Sequence, residues 1–143
     1  MSKRSQPVAK WETPRARREG GALFIHVPIE PPGLNGPNGQ LRAGWQRRRK
    51  HAKRIEEMLA LALAETTKEP PLERARIEYV RSYRGRPMDA EDNLRASLKP
   101  VLDALQRLGV IVSDAPEHLT LAASQTKRAG RGPFFQLKIE AIA

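Results

Sequence analysis

The segment from Arg74 to Tyr83 reads RARIEYVRSY, and it is the clearest β-strand pattern in the chain. Its residues alternate, so that Ala75, Ile77, Tyr79 and Tyr83 share one side of an extended chain and charged residues dominate the other. This alternation predicts a β-strand with one face in the core. The second face of the strand is then solvated or faces a ligand.

A helical pattern comes next along the chain. Apolar residues recur with helical spacing from Leu94 to Leu108, and Gly109 follows as expected of a C-terminal cap. Pro100 interrupts the pattern, which leaves two interpretations. We favour one kinked helix that begins near Asp92 over a helix whose regular part begins near Ser97.

The flanking sequence completes the predicted fold. It predicts a strand over residues 22–29, a loop over 31–40, a helix over about 42–65, and strands over 119–127 and 134–142 joined by a basic hairpin loop. The order β-α-β-α-β-β indicates an α/β fold of the α+β kind, a mixed sheet with two packed helices. Residues 21–143 form one domain. Residues 1–20 are interpreted as a flexible basic arm, or as an uninvolved tail.

Composition narrows the classes of function. The chain has 143 residues, a formal net charge of +10 and no cysteine, which excludes disulfides and thiolate metal sites. A charge excess of this size favours an anionic partner, most commonly nucleic acid. No apolar run of membrane-spanning length occurs, so a membrane partner is not expected and the cytoplasm is the expected location. No motif indicates a small-molecule substrate.

The cations concentrate in two places. The first half of the predicted helix contains seven cations without an intervening acid: Arg42, Arg47, Arg48, Arg49, Lys50, Lys53 and Arg54. The loop after residue 126 contains three more: Lys127, Arg128 and Arg131. Like charges at this density repel one another unless an anion lies nearby. We interpret these residues as contacts to DNA phosphates. The alternative is that the helix run is only a solvated face.

An acidic cluster stands out against this basic background. Asp89, Glu91 and Asp92 lie within four residues, and Asp114 follows the next helix. Grouped carboxylates repel one another, and Mg²⁺ is a common neutralising partner for them. Without a metal, the same acids would cap a helix and interact with its dipole. Similarly, Asp103 could simply pair with Lys99 or Arg107.

The stretch from residue 89 to 114 resembles the signature of the RusA-type Holliday-junction resolvases. The matching parts read Asp89-Ala-Glu-Asp-Asn-Leu94, Lys99-Pro-Val-Leu-Asp-Ala-Leu105 and Gly109-Val-Ile-Val-Ser-Asp114. The resemblance implies a RusA-like fold and a homodimeric, Mg²⁺-dependent endonuclease, bacterial or phage-encoded, for which Mn²⁺ would substitute. Such an enzyme resolves four-way DNA junctions by paired nicks in recombination and repair.

The resemblance also implies roles for particular residues. Its catalytic residues correspond to Asp89, Asp92, Lys99 and Asp114, and its metal ligands to Asp92 and Asp114 with Asp89 or Glu91 as the first ligand. Ala90 stands where the family has an aspartate, and Ser113 replaces the first member of an Asp-Asp pair. The alternative function is therefore a weakened or inactive nucleic-acid-binding protein on the same scaffold.

Overall fold

The computed structural model describes residues 13–31, 44–87 and 91–142, with the backbone alone for Glu91 and Asp92. Within these ranges the chain forms five strands and two helices. The elements are β1 (Arg15–Glu19), β2 (Ala22–Val27), α1 (Trp45–Leu63), β3 (Ala75–Tyr83), α2 (Glu91–Arg107), β4 (Leu119–Lys127) and β5 (Phe135–Ala141). The prediction of a mixed sheet with two helices is confirmed, and α2 continues through Pro100 as one helix.

The strands form one sheet in the order β1-β2-β5-β3-β4. The β3–β4 pair is parallel and the other pairs are antiparallel. Helix α2 makes the crossover that parallel neighbours require. The prediction of a hairpin between the last two strands is wrong, because β3 lies between β4 and β5. The sequence patterns identified β2 to β5 but carried no information on which of these strands are neighbours.

Strand β1 corrects the predicted N-terminal boundary. Residues 15–19, placed in the flexible arm by the sequence analysis, pair with β2, so the element order gains a leading strand. The two strands join through Gly20 and Gly21, whose φ angles of 60° and 81° suit a tight hairpin turn. This edge strand was missed because its side chains are mostly charged, although the Gly-Gly pair before an apolar strand is a hairpin signal. Residues 1–12 lie outside the described ranges.

The core fills one side of the sheet. The inward residues of β2, β3 and β5 pack against apolar stripes on both helices; the largest fully buried side chains include Tyr79, Phe135, Ile55, Leu59, Ile77, Leu98, Leu105 and Ile139. Along β3 and β5 the alternate residues are exposed or half-buried, except Ser82 at the end of β3, which is buried. The sheet therefore has a helix-covered face, and an opposite face that no described element covers.

One buried hydrogen bond ties α2 to the centre of the sheet. The Tyr79 hydroxyl lies 2.8 Å from Ser97 Oγ, and Ser97 Oγ in turn donates to the Leu94 carbonyl at 2.5 Å. Burial raises the pKa of Tyr79, and the Ser97 hydrogen bond opposes that rise. The bond fixes where α2 sits on β3, the strand that leads into the acidic segment.

Replacing Tyr79 by phenylalanine should lower the free energy of unfolding by about 1 kcal/mol, the usual net contribution of such a bond. Urea denaturation measures this loss. The matched control is Tyr83→Phe, since Tyr83 is only half-buried on the same strand; it should change stability by less than about 0.5 kcal/mol. Equal effects of the two variants would contradict the assigned role of the bond.

Candidate active site and basic surface

Lys99 is the centre of the described part of the candidate site. It lies on the solvent-facing side of α2, with its Nζ 2.7 Å from Asp114 Oδ2 and 3.1 Å from Asp103 Oδ1. The Asp103 contact is the i, i+4 pair that the sequence analysis gave as the non-catalytic alternative. The Asp114 contact joins two parts of the chain 15 residues apart. The structure therefore brings together Lys99 and Asp114, two of the residues to which the resemblance assigns a role.

The end of α2 determines where Asp114 lies. Gly109 has a φ of 77°, and the Val110 amide donates to the Leu105 carbonyl at 2.9 Å, which is a Schellman cap. The chain then reverses and is held by Leu72, whose amide donates to the Val110 carbonyl at 2.9 Å. This return places residue 114 beside the middle of the helix. The glycine cap is thus part of the geometry that delivers the carboxylate to Lys99.

The charges at this cluster reinforce one another. The hydrogen bond from Lys99 lowers the pKa of Asp114, and burial opposes that effect only partly. Asp114, followed by Asp103, raises the pKa of Lys99. The carboxylate and the ammonium are consequently both charged over the whole neutral range. In this state Asp114 presents oxygen donors, and Lys99 presents a positive charge beside them.

Removing Lys99 should raise the titration midpoint of Asp114 toward the ordinary aspartate pKa of about 3.9. Because the folded-state pKa of Asp114 is lowered, its pairing with Lys99 stabilises the fold above the unfolded pKa and is lost as pH falls through the folded pKa. Carboxyl ¹³C NMR of the parent and of Lys99→Ala measures both midpoints. An unchanged midpoint would show that the pair does not form in solution.

The remaining acids of the predicted site are described only in part. Asp89 lies outside the described residues, and the backbone of Glu91 and Asp92 forms the start of α2. Residues 92, 99 and 103 share one helical face by register. Among the described side chains, no group of three or more metal-binding residues occurs. The choice between Asp89 and Glu91 as first ligand therefore stays open.

The donor chemistry of the described residues fits Mg²⁺. Asp103 and Asp114 offer carboxylate oxygens, the donors that this ion prefers, and both are accessible to solvent, with side chains 39% and 25% exposed. No described histidine belongs to a metal-binding group. Asp114 together with Asp92 and either Asp89 or Glu91 would hold the ion.

The first half of α1 is an unusual helix. From Trp45 to Arg54 no residue is buried, and the first buried side chain of the helix is Ile55. Its cations Arg47, Arg48, Arg49, Lys50, Lys53 and Arg54 are all exposed. These cations lie near the N-terminus of the helix, which is the positive end of its dipole. The helix has no side-chain N-cap and no acid in its first turn to offset this charge. Arg42 lies outside the described residues.

Few acids lie near these cations: on α1 only Lys53 and Arg54 have an acid three or four residues further on, Glu56 or Glu57. Arg49 stacks on Trp45, with its guanidinium carbon 5.2 Å from the ring centroid. The salt bridges among described residues leave out all six cations of the run. Like-charged neighbours at i, i+3 and i, i+4 destabilise a helix. An anion aligned with this surface would relieve the repulsion.

The cations at the end of β4 and in the loop after it are of two kinds, one paired within the fold and two exposed. Arg128 is 20% exposed, and its Nη2 lies 2.5 Å from Glu30 Oε1, which gives it a structural partner. Lys127 and Arg131 are exposed and are available to a ligand. Of the three cations assigned to DNA in this loop, Arg128 is the one whose position is already explained by the fold.

Glu30 and Arg81 were missed by the sequence analysis. Arg81 is 7% exposed at the end of β3, where its Nη2 lies 3.1 Å from Glu30 Oε2 and its Nε donates to the Pro31 carbonyl at 2.8 Å. A signal was present, because residue 81 has the same strand parity as Ala75, Ile77 and Tyr79 and so must point into the core. A buried arginine requires a carboxylate partner.

Comparison with known proteins adds little to these observations. No family model matches the chain, and no curated protein matches it. Solved structures with detectable similarity include a protein from Salmonella typhimurium described as a candidate translation initiation inhibitor. It is 10% identical with a TM-score of 0.38, over 94% of each chain. No helix within the described ranges has the length and apolar character needed to cross a membrane.

Proposed function

We propose that this chain is a Mg²⁺-dependent endodeoxyribonuclease that resolves four-way DNA junctions, as its resemblance to RusA-type resolvases implies. The observation that carries the proposal is the contact between Lys99 and Asp114, 2.7 Å long, on the helical face shared by residues 92, 99 and 103. This contact unites the second and third parts of the sequence signature. If the acids served only to cap a helix, no contact between Lys99 and Asp114 would be needed.

The chemistry is divided among the residues of the site. Bound Mg²⁺ would supply Lewis-acid activation of the scissile phosphate and of a water. Asp92, Asp114 and either Asp89 or Glu91 would provide its oxygen ligands. Lys99 holds a positive charge beside Asp114, where it can neutralise charge that develops on the phosphate or orient the water. Lys99 is protonated at neutral pH, and its hydrogen bonds to Asp114 and Asp103 raise its pKa further.

The basic half of α1 supplies the contacts to DNA. Contacts between arginine or lysine and phosphates position the backbone and carry no sequence information. Such contacts suit an enzyme that recognises branched shape. Cutting two opposed strands requires two active sites related by a dyad, so we propose that the protein acts as a C₂ homodimer.

Incubation of the purified protein with a labelled four-way junction and Mg²⁺ or Mn²⁺ tests the proposal. Symmetrically paired nicks are expected, with no cleavage of the matched linear duplex. A protein that binds the junction tightly and leaves it intact with either metal would overturn the assigned activity. It would then fit the alternative of an inactive DNA-binding scaffold, which Ala90 in place of the expected aspartate favours.

Lys50→Glu should weaken DNA binding and stabilise the protein at the same time. The change removes like-charge contacts with Arg47, Lys53 and Arg54 and creates a favourable i, i+4 pair with Arg54, worth about 0.5–1 kcal/mol in total. It also removes a phosphate contact, so junction and duplex affinity should fall together. Fluorescence anisotropy and thermal denaturation measure the two effects.

The matched control for this test is Lys68→Glu, which makes the same charge change in the exposed loop after α1. It should leave DNA affinity within about twofold of the parent. A Lys50→Glu variant that binds DNA as tightly as this control would show that the basic half of α1 is only a solvated face.

A further inference from the structure

The open face of the sheet has a cationic corner that lies apart from Lys99 and Asp114, although its Arg131 belongs to the basic loop already interpreted as a DNA contact. By register, Arg15, His26 and Gln136 form one cross-strand row of side chains, and Arg17, Phe24 and Lys138 form the next. Opposite residues in antiparallel strands share a face, so both rows lie on the side away from the helices. Together with Arg131, the side chains of these rows other than Lys138 border a cleft of about 350 Å³.

Two guanidinium groups in this corner lie over aromatic rings. The Arg17 guanidinium carbon is 4.8 Å from the centroid of Phe24, and that of Arg131 is 4.6 Å from the centroid of Phe134. Phe134 stacks in turn with His26 at 5.4 Å between centroids. A guanidinium supported in this way keeps its second face for another planar group and its N–H edges for phosphate.

The charges of this corner are poorly compensated among the described residues. Arg17 pairs with Glu19, but both side chains are more than 60% exposed, so the pair is weak. Arg131 donates its Nε to a backbone carbonyl and Arg15 has no described ion-pair partner. Lys138 has an acidic neighbour, since its Nζ lies 3.7 Å from Glu78 Oε2, and Glu140 lies two residues further along β5. The corner therefore complements an anion.

We propose that this open-face cleft binds a nucleotide unit of single-stranded nucleic acid, with a base stacked on the Arg17 or Arg131 guanidinium and a phosphate on their N–H edges. Stacking platforms beside cations are the usual means of holding single strands without sequence preference. The site does not depend on Lys99 or Asp114.

The test is the affinity of the full-length protein for labelled oligothymidylate in EDTA, where metal-dependent cleavage is absent. The double variant Arg17→Ala/Arg131→Ala should bind about tenfold more weakly or worse, and its salt dependence should fall by about one unit of slope. Arg17→Lys/Arg131→Lys keeps the charge and loses the stacked plane, so it should bind with intermediate affinity. Arg76→Ala, exposed on the same sheet face opposite Glu140, is the matched control and should bind like the parent.

Several outcomes discriminate between the possibilities. Equal affinity of parent and double variant would overturn the proposal. It would also be overturned if the parent were a dimer and the double variant a monomer, because the face would then bind a second copy of the chain. Binding of thymidine monophosphate as tight as that of the oligomer would identify the source of the ligand as free nucleotide. Lys99→Ala should retain oligothymidylate binding, so a failure of the nuclease proposal leaves this result unaffected.

Discussion

Replacing Lys99 by alanine should reduce junction cleavage by about 100- to 1000-fold, the effect of removing one group that stabilises developing charge in a transition state. Among the described residues, Lys99 is the cation in contact with Asp114. Without it the phosphate loses a positive charge and the pKa of Asp114 loses the influence that lowers it. Single-turnover cleavage at saturating protein measures the rate separately from binding.

The same variant should keep its fold and its affinity for the junction. The Lys99 side chain is 60% exposed, and exposed ion pairs contribute little to stability, about 1 kcal/mol at most. Arg107→Ala is the matched control, since Arg107 is another exposed cation of α2 in an ion pair, with Glu56. Comparable cleavage by the two variants would remove Lys99 from the catalytic machinery.

Most elements of the fold could be predicted because their patterns are local. Strand β3 alternates and α2 has a leucine stripe, so periodicity located both to within a residue or two. The position of β5 between β2 and β3 was not predictable in this way. Which strands are neighbours depends on how the crossover helix packs, and that information is spread over the whole core.

The candidate site was predictable to a similar extent. The pairing of Lys99 with Asp103 follows from helical spacing. The resemblance gave roles to Lys99 and Asp114, but their contact was not predicted. Spacing also placed Arg128 on a basic loop but could not show that the loop folds back onto Glu30. Glu30 itself follows a strand in an ordinary-looking segment, and its two arginine partners lie 51 and 98 residues away.

The Glu30 cluster joins three chain segments at one end of the sheet. Its carboxylate contacts Arg81 at 3.1 Å and Arg128 at 2.5 Å, and Ser82 Oγ lies 3.4 Å from Oε1. Ser82 Oγ also accepts the Phe134 amide at 2.9 Å. Burial lowers the pKa of Arg81, and Glu30 is the principal charge that opposes this. The Glu30 carboxylate therefore allows Arg81 to be buried near the C-terminal end of β3.

Glu30→Ala should lower the free energy of unfolding by about 3 kcal/mol, because it leaves the Arg81 guanidinium buried without its counter-charge. For a chain of this size, that loss corresponds to a melting temperature lower by about 10 °C. Glu30→Gln retains the shape of the side chain and an acceptor oxygen, so a smaller loss in this variant separates charge from packing. Thermal and urea denaturation measure both.

The matched control is Glu78→Ala, which breaks an ion pair of the same kind on the open face, where Glu78 Oε2 lies 3.7 Å from Lys138 Nζ and both side chains are about 40% exposed. Its expected cost is below about 0.5 kcal/mol. Equal losses in Glu30→Ala and Glu78→Ala would mean that the Arg81 guanidinium finds water or another acceptor. Glu30 would then not be what holds the ends of β2, β3 and β4 together.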